Sequence, residues 1–148
     1  MHTLVRTITN GDWPEWLRMR QTLWPEHTRD EHQSEMQALS TDRTSITFVA
    51  VRPDGSLGGF LEAGVRKYAE GCQTSPVGYI EGWYVDDDIR QLGIGKQLVQ
   101  AAETWARQKG LSEMASDCQI DNEISRQAHQ ALGYQEMERL IHFTKILR

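Results

Sequence analysis

The sequence predicts a mixed α/β (α+β) domain in which helices flank a mostly antiparallel β-sheet, and three features predict it. Residues 46–52 and 57–66 are strand-like on either side of Pro53-Asp54-Gly55-Ser56. In that turn proline fixes φ and glycine allows positive φ, so the two runs form a β-hairpin. The apolar run Val77-Gly78-Tyr79-Ile80-Glu81-Gly82-Trp83-Tyr84-Val85 reads as a further strand and leads through a glycine-punctuated turn into a long amphipathic segment. There Ile94, Leu98, Ala101, Ala102 and Trp105 form one stripe, which predicts a helix over 94–109 packed on the sheet and stopped by Gly110.

The remaining elements follow in order. Residues 3–8 alternate loosely as a first strand and end at the turn signal Thr9-Asn10-Gly11. Asp12 is a good N-cap and Pro14 is tolerated in a first turn; Trp16, Leu17, Met19, Arg20 and Leu23 then keep helical spacing until Pro25. A more polar helix covers 30–40, with Met36 and Leu39 inward and Glu31, His32, Gln33 and Glu35 outward; His27 and His32 read as surface residues. The segment 67–76 is an irregular connection suited to a substrate loop. Residues 113–118 read as a fifth strand, 122–132 as a helix, and 134–147 as one long or two hairpin-connected strands.

Composition narrows the function classes. A chain of 148 residues fits one domain, 1–148, able to bury a core without disulfides or metal. No apolar run reaches membrane-span length and the N-terminus lacks a signal-peptide core, so a cytoplasmic protein is expected. Cys72 and Cys118 are too few for a disulfide framework, and no Cys/His cluster has zinc-ligand spacing, so reduced thiols and no metal are expected. A formal charge of −5 argues against nucleic acid and is compatible with a cationic small molecule.

The chain turns on the stretch from Tyr84 to Lys96. Gly93 and Gly95 remove side chains where a backbone passes close to a ligand, and the following helix presents free N–H groups and the positive end of its dipole, which together make a phosphate cradle. A P-loop needs glycine at 90 and Ser or Thr at 97, where the chain has Arg90 and Gln97. A dinucleotide fingerprint beginning at Gly93 needs glycine at 98, where the chain has Leu98. What remains, Arg90-x-x-Gly93-x-Gly95, resembles the pyrophosphate loop of the GCN5-related N-acetyltransferases (GNAT), together with the strand before it, the helix after it, Asn122 and Ala131-Leu132-Gly133-Tyr134.

The resemblance implies a GNAT fold whose sheet splays between strands 4 and 5, with acetyl-coenzyme A bound across Tyr84, Val85, Arg90, Gln91, Leu92, Gly93, Ile94, Gly95 and Lys96, and with Asn122. Backbone amides near Tyr84 and Val85 would bond the acyl carbonyl. Further segments are similar to one subgroup, the aminoglycoside 6′-N-acetyltransferases: Leu23-Trp24-Pro25, Gly71-Cys72, Ser75-Pro76, Tyr79-Ile80-Glu81-Gly82, Glu113-Met114-Ala115-Ser116-Asp117 and His129-Gln130-Ala131-Leu132-Gly133. That likeness implies that Trp24 and Tyr68 wall the aminoglycoside site, that Glu81 and Asp117 hold its amines and accept a proton, and that the protein is a homodimer.

Physical chemistry supports each role beside a plainer one. Glu81 sits in an otherwise apolar strand, where a carboxylate requires a cation such as a substrate ammonium, unless it simply faces solvent. Trp24 before a helix-ending proline reads equally as core, and Tyr68 equally as an adaptable surface residue. Glu136 and Glu138 add acid near the last helix, as site lining or as solvated charge. Where many of these enzymes place a tyrosine to protonate the thiolate, this chain has His129, whose ordinary pKa is near neutrality; it either donates that proton or only hydrogen-bonds coenzyme A, the thiolate then taking its proton from the incoming amine or from water. Cys118 lacks a spaced histidine base, so a covalent acyl-enzyme is not predicted, and in a strand it reads as a small buried hydrophobe. Two rivals remain: acetylation of another amine (polyamine, amino acid or protein), and a coenzyme A-binding sensor without turnover.

Overall fold

The computed structural model describes residues 4–148, so residue 3 of the first predicted strand lies outside it. Five strands, β1 (Leu4–Thr7), β2 (Ser45–Val51), β3 (Leu57–Arg66), β4 (Val77–Val85) and β5 (Met114–Ser116), form one sheet in sequential order. β1 to β4 pair antiparallel and β5 runs parallel to β4. Alternation along the strands splits the core between two faces. Val49, Phe60 and Tyr84 meet Trp16, Leu17, Met19 and Met36 of the helices α1 (Trp13–Leu23) and α2 (Arg29–Thr41). Ala50, Leu61 and Ile80 meet Ile94, Leu98, Ala102 and Trp105 of α3 (Ile94–Gln108).

The helix boundaries have local causes. Pro14 lies in the first turn of α1 and Pro25 follows its end at Trp24. α2 opens with a capping box: Thr28 Oγ1 accepts from the Glu31 amide at 3.1 Å, and Glu31 accepts from the Thr28 amide at 2.8 Å. Asp12 departs from its expected role, since its side chain makes no cap to α1. Its carboxylate instead accepts from Arg6 at 2.7 and 3.0 Å and from the Thr9 amide at 2.8 Å, tying β1 to the start of α1, and the Arg6 guanidinium above all draws its pKa down to about 2.

Two irregularities of β4 create the space for a site. Glu62 pairs with Gly82 but Ala63 pairs with Ile80, so Glu81 is the extra residue of a β-bulge. β5 is three residues long and all three pair, with Gly78, Tyr79 and Ile80, so among the described residues that edge of β4 has no strand beside it beyond Ile80.

Three expectations are corrected. Residues 134–147 form no strand: the segment finds no sheet edge within the described chain, and a strand without a pairing partner leaves its N–H and C=O groups to water. Its Met137, Leu140, Ile141, Phe143, Ile146 and Leu147 are exposed. His32 is not on the surface but fully buried, because its ring is held between Arg20 and the carbonyl of Trp24. β5 ends at Ser116, which leaves Cys118 exposed beyond the strand instead of buried within it.

Candidate functional site

The loop between β4 and α3 is built to leave backbone open at a helix N-terminus. Asp86, just past β4, is buried and accepts from Arg18 (3.1 and 3.2 Å), Arg52 (2.9 Å) and the Tyr84 hydroxyl (2.9 Å). Burial pushes its carboxyl up, but these donors outweigh burial and hold it below the usual range. One 3-10 turn follows, and Arg90 folds back to donate from Nε to the Val85 carbonyl at 2.9 Å and to pair with Asp87 at 2.8 Å. Gln91 (φ 65°) and Gly93 (φ 83°) then adopt left-handed backbone, and an added Cβ at Gly93 would meet nothing within 4 Å. Gln91, Leu92, Gly93 and Lys96 stay exposed while Ile94 anchors α3 in the core.

Gly95 also meets a packing constraint that was not expected. A Cβ there would lie 3.2 Å from the Trp83 ring, and Trp83 Nε1–H donates to the Gly95 carbonyl at 3.2 Å. The missing side chain thus allows close packing of α3 on β4.

On the α1/α2 face an open pocket of about 340 Å³ is lined by Arg20, Trp24, His27, Glu35, Glu62 and Glu81, with Ala38 and Leu39. The bulge turns Glu81 into this space, and Trp24 lies against Gly82, where even a Cβ would stand 2.5 Å from its ring. Trp24 is half-buried, stacked on His32 with ring centroids 6.4 Å apart and on the Arg20 guanidinium at 4.8 Å. It is therefore core on one face and pocket wall on the other. Asp117 lies one residue past β5 and accepts from the Tyr79 hydroxyl; burial first, then that bond, pushes the phenol pKa up. Tyr68 is 68% exposed on the irregular connection. Neither Asp117, Tyr68 nor Glu138 lines the pocket, and Glu138 is exposed in the C-terminal segment, as is Glu136, paired with Arg139.

Beneath the pocket lies a charge network that reading the sequence missed. Arg20 on α1 pairs with buried Glu62 of β3 and with Glu35 of α2, and Trp16 Nε1–H donates to Glu62 at 2.9 Å. Burial pushes the Glu62 carboxyl up, against Arg20 and Trp16, which favour its charge. Arg20 Nε–H also donates to His32 Nδ1 at 3.3 Å, so the His32 proton sits on Nε2 and donates to the Trp24 carbonyl at 3.0 Å. The available signal was a lone carboxylate inside the apolar run Leu57–Val65, the same signal that singled out Glu81.

His129 stands on the opposite face. It belongs to α4 (Glu123–Ala131), meets Trp83 edge-on at 5.1 Å, and contacts Ser116 Oγ at 2.7 Å through Nε2 and the Ser125 carbonyl at 2.7 Å through Nδ1. A carbonyl only accepts, so Nδ1 carries a proton, and in the neutral ring Nε2 accepts from Ser116. Asn122 caps α4, accepting from the Ser125 amide at 3.1 Å. Among the described residues no group of three or more His, Cys, Asp or Glu side chains is placed to hold a metal ion.

An open glycine loop at a helix N-terminus, a β4 edge without a neighbour beyond Ile80 and an acidic pocket across the sheet now stand together, and residues 13–134 match the acetyltransferase (GNAT) family. The chain belongs to the GNAT acetyltransferase family. Within it, the chain is 44% identical over 147 residues to an aminoglycoside N(6′)-acetyltransferase type 1 from Klebsiella aerogenes, covering 97% of each. The GNAT fold is also that of solved aminoglycoside 6′-N-acetyltransferases. One, AAC(6′)-Ih from Acinetobacter baumannii, is 38% identical with a TM-score of 0.92, covering 99% of this chain and 100% of that one. Another, AAC(6′)-Iy in complex with a bisubstrate analogue of coenzyme A and monomethyl-acetylneamine, is 37% identical with a TM-score of 0.94 at the same coverage.

Proposed function

We propose that this GNAT domain, residues 1–148, is an aminoglycoside 6′-N-acetyltransferase using acetyl-coenzyme A. The observation that carries the reading is the bulge at Glu81, which sets a carboxylate beside Trp24 just past the end of the β4–β5 pairing, on the face opposite His129. The exposed loop around Gly93 fits a pyrophosphate, since its backbone is left-handed, open and followed by the N-terminus of α3. Coenzyme A supplies an activated acetyl thioester. Gln91 to Lys96 hold its phosphates, and the unpaired edge of β4 at Tyr84 and Val85 orients the acyl carbonyl.

Glu81 and Asp117 engage the acceptor's ammonium groups and take the proton that the attacking amine must lose. Trp24 and Tyr68 offer aromatic faces to sugar rings, and Glu138 adds charge. His129 gives a proton to the departing thiolate as an imidazolium, through Nε2, since in the neutral ring its proton faces Ser125. Acetylation removes an ammonium charge with which such drugs hold RNA phosphates, so resistance is the biological result. The reading places the protein in the cytoplasm, where acetyl-coenzyme A is made, and as a homodimer. The exposed apolar segment 134–147 supports the dimer, because its strand-like pattern finds no partner within one chain.

Free thiol released from acetyl-coenzyme A is expected with kanamycin or tobramycin and not with spermidine or a peptide amine. Turnover of the latter alone favours another acceptor, and binding without any turnover favours a sensor. Gly95→Trp is expected to displace Trp83 and abolish thiol release, whereas Gly95→Ala, which asks the ring to yield by tenths of an ångström, keeps kcat/KM within about tenfold.

A further inference from the structure

Glu81 is already engaged before any acceptor arrives. Arg66, the last residue of β3, donates to both its oxygens, from Nε at 2.9 Å and Nη2 at 2.6 Å. The same guanidinium lies over the Tyr79 ring, 3.5 Å from its centroid, and Tyr79 donates its hydroxyl to Asp117. Glu81, Arg66, Tyr79 and Asp117 thus form one chain, with an acid at each end and a single cation between them. The cation is not sealed in: the Arg66 side chain is 44% exposed and that of Glu81 37%. Water screens such a pair, so another cation displaces it at small cost.

We propose that Arg66 is the resident counter-ion of the acceptor site, occupying on Glu81 the position that an acceptor ammonium takes over. Arg66 stays protonated at every working pH, so its competition is constant. It lowers the hold of Glu81 on every amine and leaves useful affinity to acceptors whose further ammonium groups engage further acids. Its role is therefore to set a threshold of affinity that every acceptor meets alike, one that acceptors with a single ammonium group fail to clear. Displaced, Arg66 keeps the Tyr79 face and the field of Asp117 on its other side. This inference rests on the reading that Glu81 holds an acceptor amine.

The test is steady-state kinetics of the full chain with kanamycin and with a sugar bearing one amine. Arg66→Gln removes the charge at similar reach, and KM for kanamycin is expected to fall about two- to fivefold, with a similar gain for the single-amine sugar. KM for acetyl-coenzyme A is expected to stay unchanged, and Arg66→Lys to stay near the parent. Glu81→Gln is expected to raise KM for kanamycin, and adding Arg66→Gln to it to change nothing more. A general folding defect lowers the active fraction and so kcat without lowering KM, so a fall in KM is specific to lost competition. If Arg66→Gln leaves KM for kanamycin unchanged or raises it while Glu81→Gln raises it, the counter-ion role is overturned and Glu81 keeps its own. If Glu81→Gln has no effect, the acceptor reading of Glu81 fails, and the role of Arg66 with it.

Discussion

Arg20→Met is expected to lower the free energy of unfolding by roughly 3–5 kcal/mol, because it leaves the Glu62 carboxylate buried without its cation. Arg20 also bridges Glu35, His32 and the Trp24 ring, so no single neighbour can take over its contacts. Urea denaturation at unchanged m-value measures the loss. The loss should depend on pH in a definite sense. A carboxyl whose folded pKa is raised by burial binds its proton more tightly folded than unfolded, so its stability contribution is present below the unfolded pKa and lost as pH rises through the folded one. Arg20→Met should accordingly be less destabilised in mild acid than at neutral pH. The double change Arg20→Met with Glu62→Leu should recover most of the stability, since replacing both partners removes the unpaired charge. A loss below about 1 kcal/mol for Arg20→Met would show that the pair contributes little to the fold.

Asp117→Ala is expected to lower kcat/KM for kanamycin by about 10- to 100-fold through KM, with KM for acetyl-coenzyme A unaltered, as fits the loss of one charge-assisted contact to an ammonium group. Because Asp117 also accepts from Tyr79, a second variant separates direct from relayed action. Tyr79→Phe keeps the ring beneath Arg66 and removes only the hydroxyl, and it should leave KM for kanamycin within about twofold. If Tyr79→Phe reproduces the loss, Asp117 acts through the tyrosine, and if Asp117→Ala leaves kanamycin kinetics untouched, it has no part in holding the acceptor.

The two glutamates show how far a pattern can be read. Glu62 and Glu81 both interrupt apolar strands, and in the sequence they look alike. The first is buried against Arg20 from a helix 42 residues earlier, and the second is turned outward by a bulge. Neither partner nor bulge has a local signature, because each arises from the register of one strand against another. His32 misled for the same reason: a polar residue on a polar helix reads as exposed, and only the approach of α1 gives its two ring nitrogens a donor and an acceptor. Gly95 was read from its neighbourhood to a helix N-terminus, and only the structure adds that Trp83, from the adjacent strand, leaves little room for a side chain there.

What the sequence alone determined is what short-range chemistry dictates. The hairpin turn at Pro53–Ser56, the prolines bounding α1, the stripe and stop of α3, and the glycine loop before it each depend on residues within a turn or two of one another, and from them came the strands and the helices. The tertiary structure alone decided which charged side chains meet. The pairing of Arg20 with Glu62, the hold of Arg66 on Glu81, and the placing of His129 and the acidic pocket on opposite faces all join residues far apart in the chain. Such contacts depend on how strands align and helices pack, which is settled by burial of the whole apolar surface and is not encoded in any one stretch.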